Sequence, residues 1–269
     1  MNTVDESMAD LEPSNTNIRL ATLSPSRAND FKTCPQLYKF RAIDRIETPP
    51  TVHQARGTIA HLALQRLFDA PPEQRTPDRL YNLFRDAWTE LKDTEFPDLF
   101  DSLSEERQWG IESLKTLSNY FSVEDPRSFD PVDRELDLTE TVGEMTIRGI
   151  LDRIEERSEG LTITDYKTGR APSERYAAAA FFALKIYALL IRQRTGTTPA
   201  KIRLLYLSGP TVYERAVTDA QLDAMEQQLQ ALWDAIERAM STDTFPPRPG
   251  RLCSWCQYQE MCPAWADGQ

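Results

Sequence analysis

Apolar positions recur along this chain with two different periods, and the change of period divides it. From Ser24 to about Phe121 they return every three or four residues, the helical spacing. Ser24 followed by Pro25 makes an N-cap and first-turn pair. It predicts a helix carrying Phe31 and Cys34, with Leu37, Tyr38 and Phe40 continuing beyond Pro35. The run "ARGTIAHLALQRLF" predicts a helix over Gln54–Phe68, with Ile59, Leu62, Ala63 and Leu67 on one side. After a Pro-rich loop, two more amphipathic helices are expected over Pro77–Lys92 and Ser104–Phe121. The second has a Ser104 cap and Glu105 and Glu106 in its first turn, where acids favour the helix dipole.

Near Asp125 the period shortens to two. Short alternating runs broken by Gly, Glu and Ser-Glu-Gly predict three antiparallel strands, at Asp130–Leu138, Met145–Glu155 and Leu161–Tyr166. Ser173–Gln193 follows as a long helix whose buried part is "AAAAFFALKIYALLI". Two strands, Ile202–Ser208 and Tyr213–Val217, precede an amphipathic helix over Asp219–Met240, capped by Thr218 or Asp219. A Pro-rich loop then leads to a Cys-rich tail. A helix between the third and fourth strands permits a mixed sheet, so the expectation is an α/β fold with a mixed central sheet flanked by helices.

Composition narrows the class. The chain has 269 residues, 40% of them hydrophobic and 27% charged, which suits a globular protein with a sizeable core. No run approaches the ~18 apolar residues of a membrane span. The polar, acidic first residues lack the apolar stretch of a secretory signal. The expectation is a cytoplasmic protein with no membrane association. A net charge of −11 argues against an overall basic nucleic-acid glove but leaves room for a local basic groove.

The stretch "LTITDYKTGR" is the richest in chemistry. Asp165 and Lys167 are two apart in a strand, so their side chains share a face just where the apolar run ends. Asp152, in "RGILDRIE", lies on the preceding strand across the short "ERSEG" connection, so a modest register offset brings both acids together. Two carboxylates suit Mg²⁺ or Mn²⁺, which polarises a phosphodiester and activates water. A lysine beside them can hold charge on phosphorus. Alone, an Asp-x-Lys pair is most often a surface ion pair of little consequence.

The company this motif keeps is more specific. "GILDRIE…LTITDYKTGR" resembles the core of the PD-(D/E)XK nucleases, in particular their RecB-type branch, over roughly residues 24–265. The resemblance implies a restriction-endonuclease-like core at 126–245, a helical region at 21–125, a flexible lead at 1–20 and a Cys-rich segment at 246–269. It assigns catalysis to Asp152, Asp165 and Lys167. It assigns metal binding to His61 in "GTIAHLALQRLF", Asp152, Asp165 and the Tyr166 carbonyl. Glu135 and Tyr187 are accessory. The family often carries Gln four residues before the helical Tyr; here that position is Ala183, and Lys185 nearby is a substitute phosphate contact. The implied activity is metal-dependent DNA cleavage, exonuclease-like on single strands or ends, in DNA repair or recombination, with a helicase or repair partner. The alternative is a catalytically impaired binding subunit of a repair complex.

Cys253-x-x-Cys256 lets two thiolates reach one metal, Cys262 follows closely, and Cys34 is far away in sequence. Four cysteines in a reducing compartment suggest a metal or cluster before disulfides. The resemblance implies a [4Fe–4S] cluster on Cys34, Cys253, Cys256 and Cys262. A Cys₄ zinc site and free structural cysteines remain open from spacing alone. Arg19, Arg27, Lys32, Lys39, Arg41 and Arg45, interleaved with Phe31, Tyr38 and Phe40, would join Arg248 and Arg251 in one nucleic-acid patch if the cysteines meet. Ordinary surface charge with the aromatics packed inward is the simpler alternative.

Overall fold

The computed structural model describes residues 22–265, without side chains at 174–176, 178 and 179. The expected lead at 1–20, with Arg19, lies outside the described residues. A two-residue strand, β1 (Thr22–Leu23), precedes helix α1 (Pro25–Thr33), whose N-cap Ser24 accepts from the Arg27 amide. Cys34 ends α1 in extended backbone, so the helix stops before Pro35 instead of running through it. A short α2 (Pro35–Tyr38) then widens into a π-type turn at Lys39–Ile43. Helix α3 (Val52–Leu67) starts two residues earlier than expected, because Thr51 and Gln54 form a capping box. Helices α4 (Pro77–Glu95), α5 (Leu103–Ser118, capped by Ser102 rather than Ser104) and α6 (Tyr120–Val123) complete the helical region.

The strands are β2 (Asp133–Val142), β3 (Met145–Arg157), β4 (Gly160–Arg170), β5 (Lys201–Ser208) and β6 (Thr211–Ala216). Helix α7 (Glu174–Thr195) joins β4 to β5, and α8 (Asp219–Ser241) follows β6. Together with β1 they form a six-stranded mixed sheet among the described residues. Strands β2–β3–β4 are antiparallel, β5 is parallel to β4, and β6 returns antiparallel. The parallel step needs a long crossover, and α7 supplies it. One core lies between the sheet and α1, α7 and α8, with Ile147, Leu151, Ile163, Phe181, Leu184 and Trp233. A second lies on the other face, where Ile59, Leu64, Phe84 and Trp109 of α3–α5 meet Tyr166, Leu205 and Leu207. The mixed-sheet α/β architecture read from the sequence is the one observed.

The third layer of organisation is polar and was not foreseen. Arg153 of β3 is only 1% exposed. Its guanidinium donates to Glu124 Oε2 at 2.7 Å and to the Tyr166 hydroxyl at 2.6 Å, and pairs with Glu155 at 2.9 Å. Arg203 of β5 reaches the same two glutamates at 3.1 and 3.0 Å. A buried cation is tolerable only with such partners. Burial favours the neutral form of Glu124, but Arg153 outweighs it and holds the carboxyl below its ordinary 4.5. A group with a depressed folded pKa adds stability above its unfolded pKa and loses it as pH falls through the folded value. Glu124→Gln is expected to cost about 3–5 kcal/mol at pH 7 by leaving Arg153 underpaired. The gap to the parent should narrow once pH drops below 4.5 in denaturant titrations; a pH-independent gap would contradict this reading.

Candidate active site

The site lies where β3 and β4 part. Their ladder runs from Arg157↔Gly160 up to Arg153↔Thr164 and ends there. One residue further, Asp152 uses its side chain instead: Oδ2 accepts from the Tyr166 amide at 2.7 Å. The alternation of β3 breaks at the same point. Gly149 and Leu151 face α7, whereas Arg153 and Glu155 enter the polar network beneath Tyr166. Strict alternation would put all four on one face. Opposite, Glu135 of β2 has φ +49°, in the left-handed region that non-glycine residues rarely adopt, and the β2–β3 pairing skips it. The twisted backbone turns its carboxylate inward.

His61, on the face of α3 that packs against β4, completes the arrangement. Its Nδ1 lies 3.3 Å from Asp152 Oδ1 and 4.0 Å from Glu135 Oε1, and its Nε2 lies 3.0 Å from the Tyr166 carbonyl oxygen. One atom each from His61, Glu135 and Asp152 lies within 4.8 Å of the others. Asp165 is outside that trio but close enough to feel it. Its Oδ2 is 2.7 Å from Lys167 Nζ, and the Lys167 side chain is still 40% exposed, so its ammonium can face a substrate. Glu135, which the sequence marks only as accessory, is therefore drawn into the cluster. Lys185 is not: two residues from Tyr187, it stands about 200° round α7, and the structure does not bring it to the acids. Ala183, one turn before Tyr187, brings no polar group.

Crowding by the acids shifts several titrations here. Burial, then the Asp152 carboxylate, push Asp165 up to about 6 against the pull of Lys167. Burial and Asp152 also raise Glu135. Burial opposes charge on His61, but Asp152, with Asp165 and Glu135 behind it, outweighs burial and takes the imidazole up to about 9. Asp165 likewise keeps Lys167 protonated despite its burial. The centre thus gathers negative charge and holds protons to offset it. Carboxylate oxygens with one imidazole are a hard donor set fitting Mg²⁺ or Mn²⁺. His61, Glu135 and Asp152 would hold the ion, with Asp165 alongside; the Tyr166 carbonyl keeps a second lone pair beyond its contact with His61.

Gly149 shows why "GILD" begins with glycine. A Cβ there would stand 2.7 Å from Tyr187 Cε1 and 3.2 Å from Leu190. Its absence lets the Tyr187 ring lie against β3. Burial raises the Tyr187 phenol, and the charges of Asp165, Asp152 and Glu135 raise it further.

At the far end of α1 the four cysteines, none in a disulfide, line one cavity of about 240 Å³. Cys34 Sγ accepts from the Arg248 amide at 3.4 Å and Cys253 Sγ from the Gly250 amide at 3.3 Å. No three of the sulfurs lie within 4.8 Å of one another. Of the two readings of the basic segment, the one with the aromatics packed inward is observed. Phe31, Tyr38 and Phe40 are buried, because Tyr38 packs on Phe31 and Phe245, and Phe40 on Tyr258. Lys39 pairs with Asp243, and Arg41 with Asp30. Among the described residues the exposed aromatics are Trp255, at 86%, and Trp265, which no periodicity marks.

A family model described as "PD-(D/E)XK nuclease superfamily" matches residues 22–263. The chain belongs to the PD-(D/E)XK nuclease superfamily. It is also similar to the gene 69 protein of Mycobacterium phage D29, at 22% identity over 93% of this chain and 99% of that one. Among solved structures it resembles that of a candidate exonuclease from Eubacterium rectale, with a TM-score of 0.56, 14% identity, and coverage of 98% and 94% of the two chains; this likeness concerns the fold.

The geometry sets expectations for metal binding and for packing. Mn²⁺ affinity, read by calorimetry, is expected to rise with pH between about 6 and 9, because the ion must displace protons from His61 and Asp165. Asp152→Asn should weaken it about tenfold or more by removing a ligand. Gly149→Ala is expected to cost about 1–3 kcal/mol through overpacking against Tyr187. The Gly149→Ala/Tyr187→Ala pair should be non-additive in thermal melts, the second change relieving the first.

Proposed function

We propose that this protein is a divalent-cation-dependent deoxyribonuclease of the RecB-type branch. In this reading it acts in an exonuclease-like manner on single strands or ends during DNA repair or recombination, in the cytoplasm and alongside a helicase or repair partner. The observation that carries the reading is the convergence of His61, Glu135 and Asp152 within 4.8 Å, beside the Asp165–Lys167 pair, at the open end of two strands. A cation bound there would polarise the scissile phosphate and lower the pKa of a water. Asp152, Glu135, Asp165 and His61 hold and orient that cation. Lys167, with its charge fixed by Asp165, meets the negative charge that grows on phosphorus. Tyr166 spans the gap, its amide on Asp152 and its carbonyl on His61, so both donors keep their positions.

For the cysteines we propose a [4Fe–4S] cluster rather than zinc. Tetrahedral zinc with Zn–S near 2.3 Å sets thiolate sulfurs about 3.8 Å apart. No three of the sulfurs here lie within 4.8 Å of one another, and two accept amide hydrogen bonds of the kind that tune cluster thiolates. The helical region at 21–125, the core at 126–245 and the Cys-rich segment at 246–269 are proposed as the working parts. A binding subunit without cleavage is the second reading, favoured by Ala183 where the family often has Gln and by the net charge of −11.

With labelled single-stranded DNA and Mn²⁺, the parent is expected to release short products, and Lys167→Ala to lose about 10²–10³ in kcat while retaining Mn²⁺ binding. Strand binding without products would favour the second reading. Anaerobically purified protein should carry stoichiometric iron and a visible charge-transfer band; zinc in place of iron would overturn the cluster.

A further inference from the structure

The edge of β3 that faces β4 is interrupted. Strand β1 pairs with Thr146 and Ile147, which are also partnered by β2, so β1 and β4 occupy the same edge of β3. Strand β4 takes that edge only from Arg153 onward. Between them, residues 148–152 have no strand on this edge among the described residues. At about 3.3 Å per residue that leaves roughly 17 Å of open backbone, ending at Asp152. A groove of about 650 Å³ covers this gap. Its walls are the first turn of α1, with Ser24, Ser26 and Arg27, and the Tyr187 ring of α7; Arg148 and Ile150 project from its floor. A second cleft, of about 630 Å³, reaches the acids from the α3 side, lined by His61 and Glu135.

The lining has the mixed chemistry of a nucleotide site. Hydroxyls and guanidinium groups suit phosphate oxygens, and Tyr187 and the 46%-exposed Ile150 offer apolar surface for a base or sugar. Arg27 donates to the Thr22 carbonyl at 3.0 Å. Arg148 makes a bidentate contact with Asp137 of β2, Nε to Oδ1 at 2.9 Å and Nη2 to Oδ2 at 2.5 Å, yet both side chains are about half exposed, so the guanidinium keeps a solvent-facing edge for a phosphate. The volume falls in the range of small-ligand pockets. That is room for about one or two nucleotides of a single strand.

We propose that this groove is a single-strand subsite, which seats the nucleotide next to the one held at the acidic centre. It deepens the nuclease reading and rests on it. A strand lying in it is led along the open β3 edge to Asp152 and leaves over His61, so the break in the ladder serves both the metal ligands and the substrate path.

The test uses the full chain with Lys167→Ala, without added divalent metal, so that binding is read apart from cleavage. The probes are a fluorescein-labelled 12-nucleotide oligothymidylate and its duplex with oligoadenylate, followed by anisotropy across a salt series. Adding Arg148→Ala should raise the strand's Kd about fivefold to tenfold and make its salt dependence shallower by about 0.7 in log–log slope, the loss of one phosphate contact. Ile150→Glu should weaken the strand at least as much. Duplex should bind more weakly, with no dependence on Arg148. Unchanged strand binding in both variants, or a duplex as tight and as dependent on Arg148, overturns the subsite. If strand binding depends on Arg148 while the parent chain, with Lys167 intact, cuts nothing with Mn²⁺, the subsite stands and the nuclease activity is overturned. A chain that cuts, with Arg148→Ala binding as before, overturns only the subsite.

Discussion

Burial of the Arg153 guanidinium is the constraint from which the site geometry follows. A cation 1% exposed must find its partners inside the protein, and Glu124, Glu155 and the Tyr166 hydroxyl are all on the α3 side of the sheet or at its edge. Phe129, 4.7 Å from the guanidinium carbon, adds an aromatic face. The strand must therefore turn Arg153 to that side although Leu151, two residues earlier, is held in the opposite core. Asp152 sits at the resulting break. Its carboxylate is left to accept from the Tyr166 amide, and the ladder that would have zipped β3 to β4 stops. An ordinary ladder would leave no opening between these strands for a metal or a phosphate.

The electrostatics of the opening are those of a place waiting for positive charge. Asp152, Asp165 and Glu135 are crowded into a partly buried volume, and the side chains answering them are His61 and Lys167. Against burial, the surrounding carboxylates take the imidazole to about 9, and burial with the Asp152 charge takes Asp165 to about 6. A chain with a net charge of −11 does not attract nucleic acid by its bulk field. Attraction has to be local, in the divalent ion and in guanidinium groups beside it, so a groove bearing Arg27 and Arg148 matters more here than it would on a basic protein.

The motif residues were legible in the sequence because they are close together in it. Asp165 and Lys167 are two apart on one strand, Asp152 is across a short hairpin, and the helical periods around His61 and Tyr187 are plain. The mixed sheet was readable for the same reason: a long helix between alternating segments requires a parallel step. What escaped depends on long-range packing. The positive φ of Glu135 gives no sign in "DRELDL", so its entry into the metal cluster could only be suspected. Nothing in "LDRIEER" says that Arg153 is buried while the chemically equivalent Arg157 is not. The two-residue β1 has no periodicity to detect, although its pairing with β3 defines one end of the groove. Basic neighbours do not tell stacking from packing for Phe31, Tyr38 and Phe40: spread over α1, α2 and the π-type turn, they turn inward because Phe245 and Tyr258, more than 200 residues away, supply partners for Tyr38 and Phe40.

Helix α1 ties these features together. Its first turn borders the groove beside the acids, and its C-cap is Cys34. The Cys-rich segment grips that end: the Arg248 side chain donates to the Lys32 carbonyl at 2.7 Å and its amide to the Cys34 sulfur, and Phe245 stacks on Tyr38 just beyond. Further on, the Tyr258 hydroxyl donates to the Ile46 carbonyl at 3.0 Å, fixing the chain that leads into α3 and so to His61. The segment therefore braces both polypeptide routes that frame the acidic centre, and it does so across more than 200 residues of sequence, where loop closure is costly without a strong clip. Thiolates converging on one metal group would supply that clip. The cysteines need no part in phosphate chemistry to matter for it, because holding α1 and the 46–51 connection in place is what keeps the groove and the histidine in register with the broken strand.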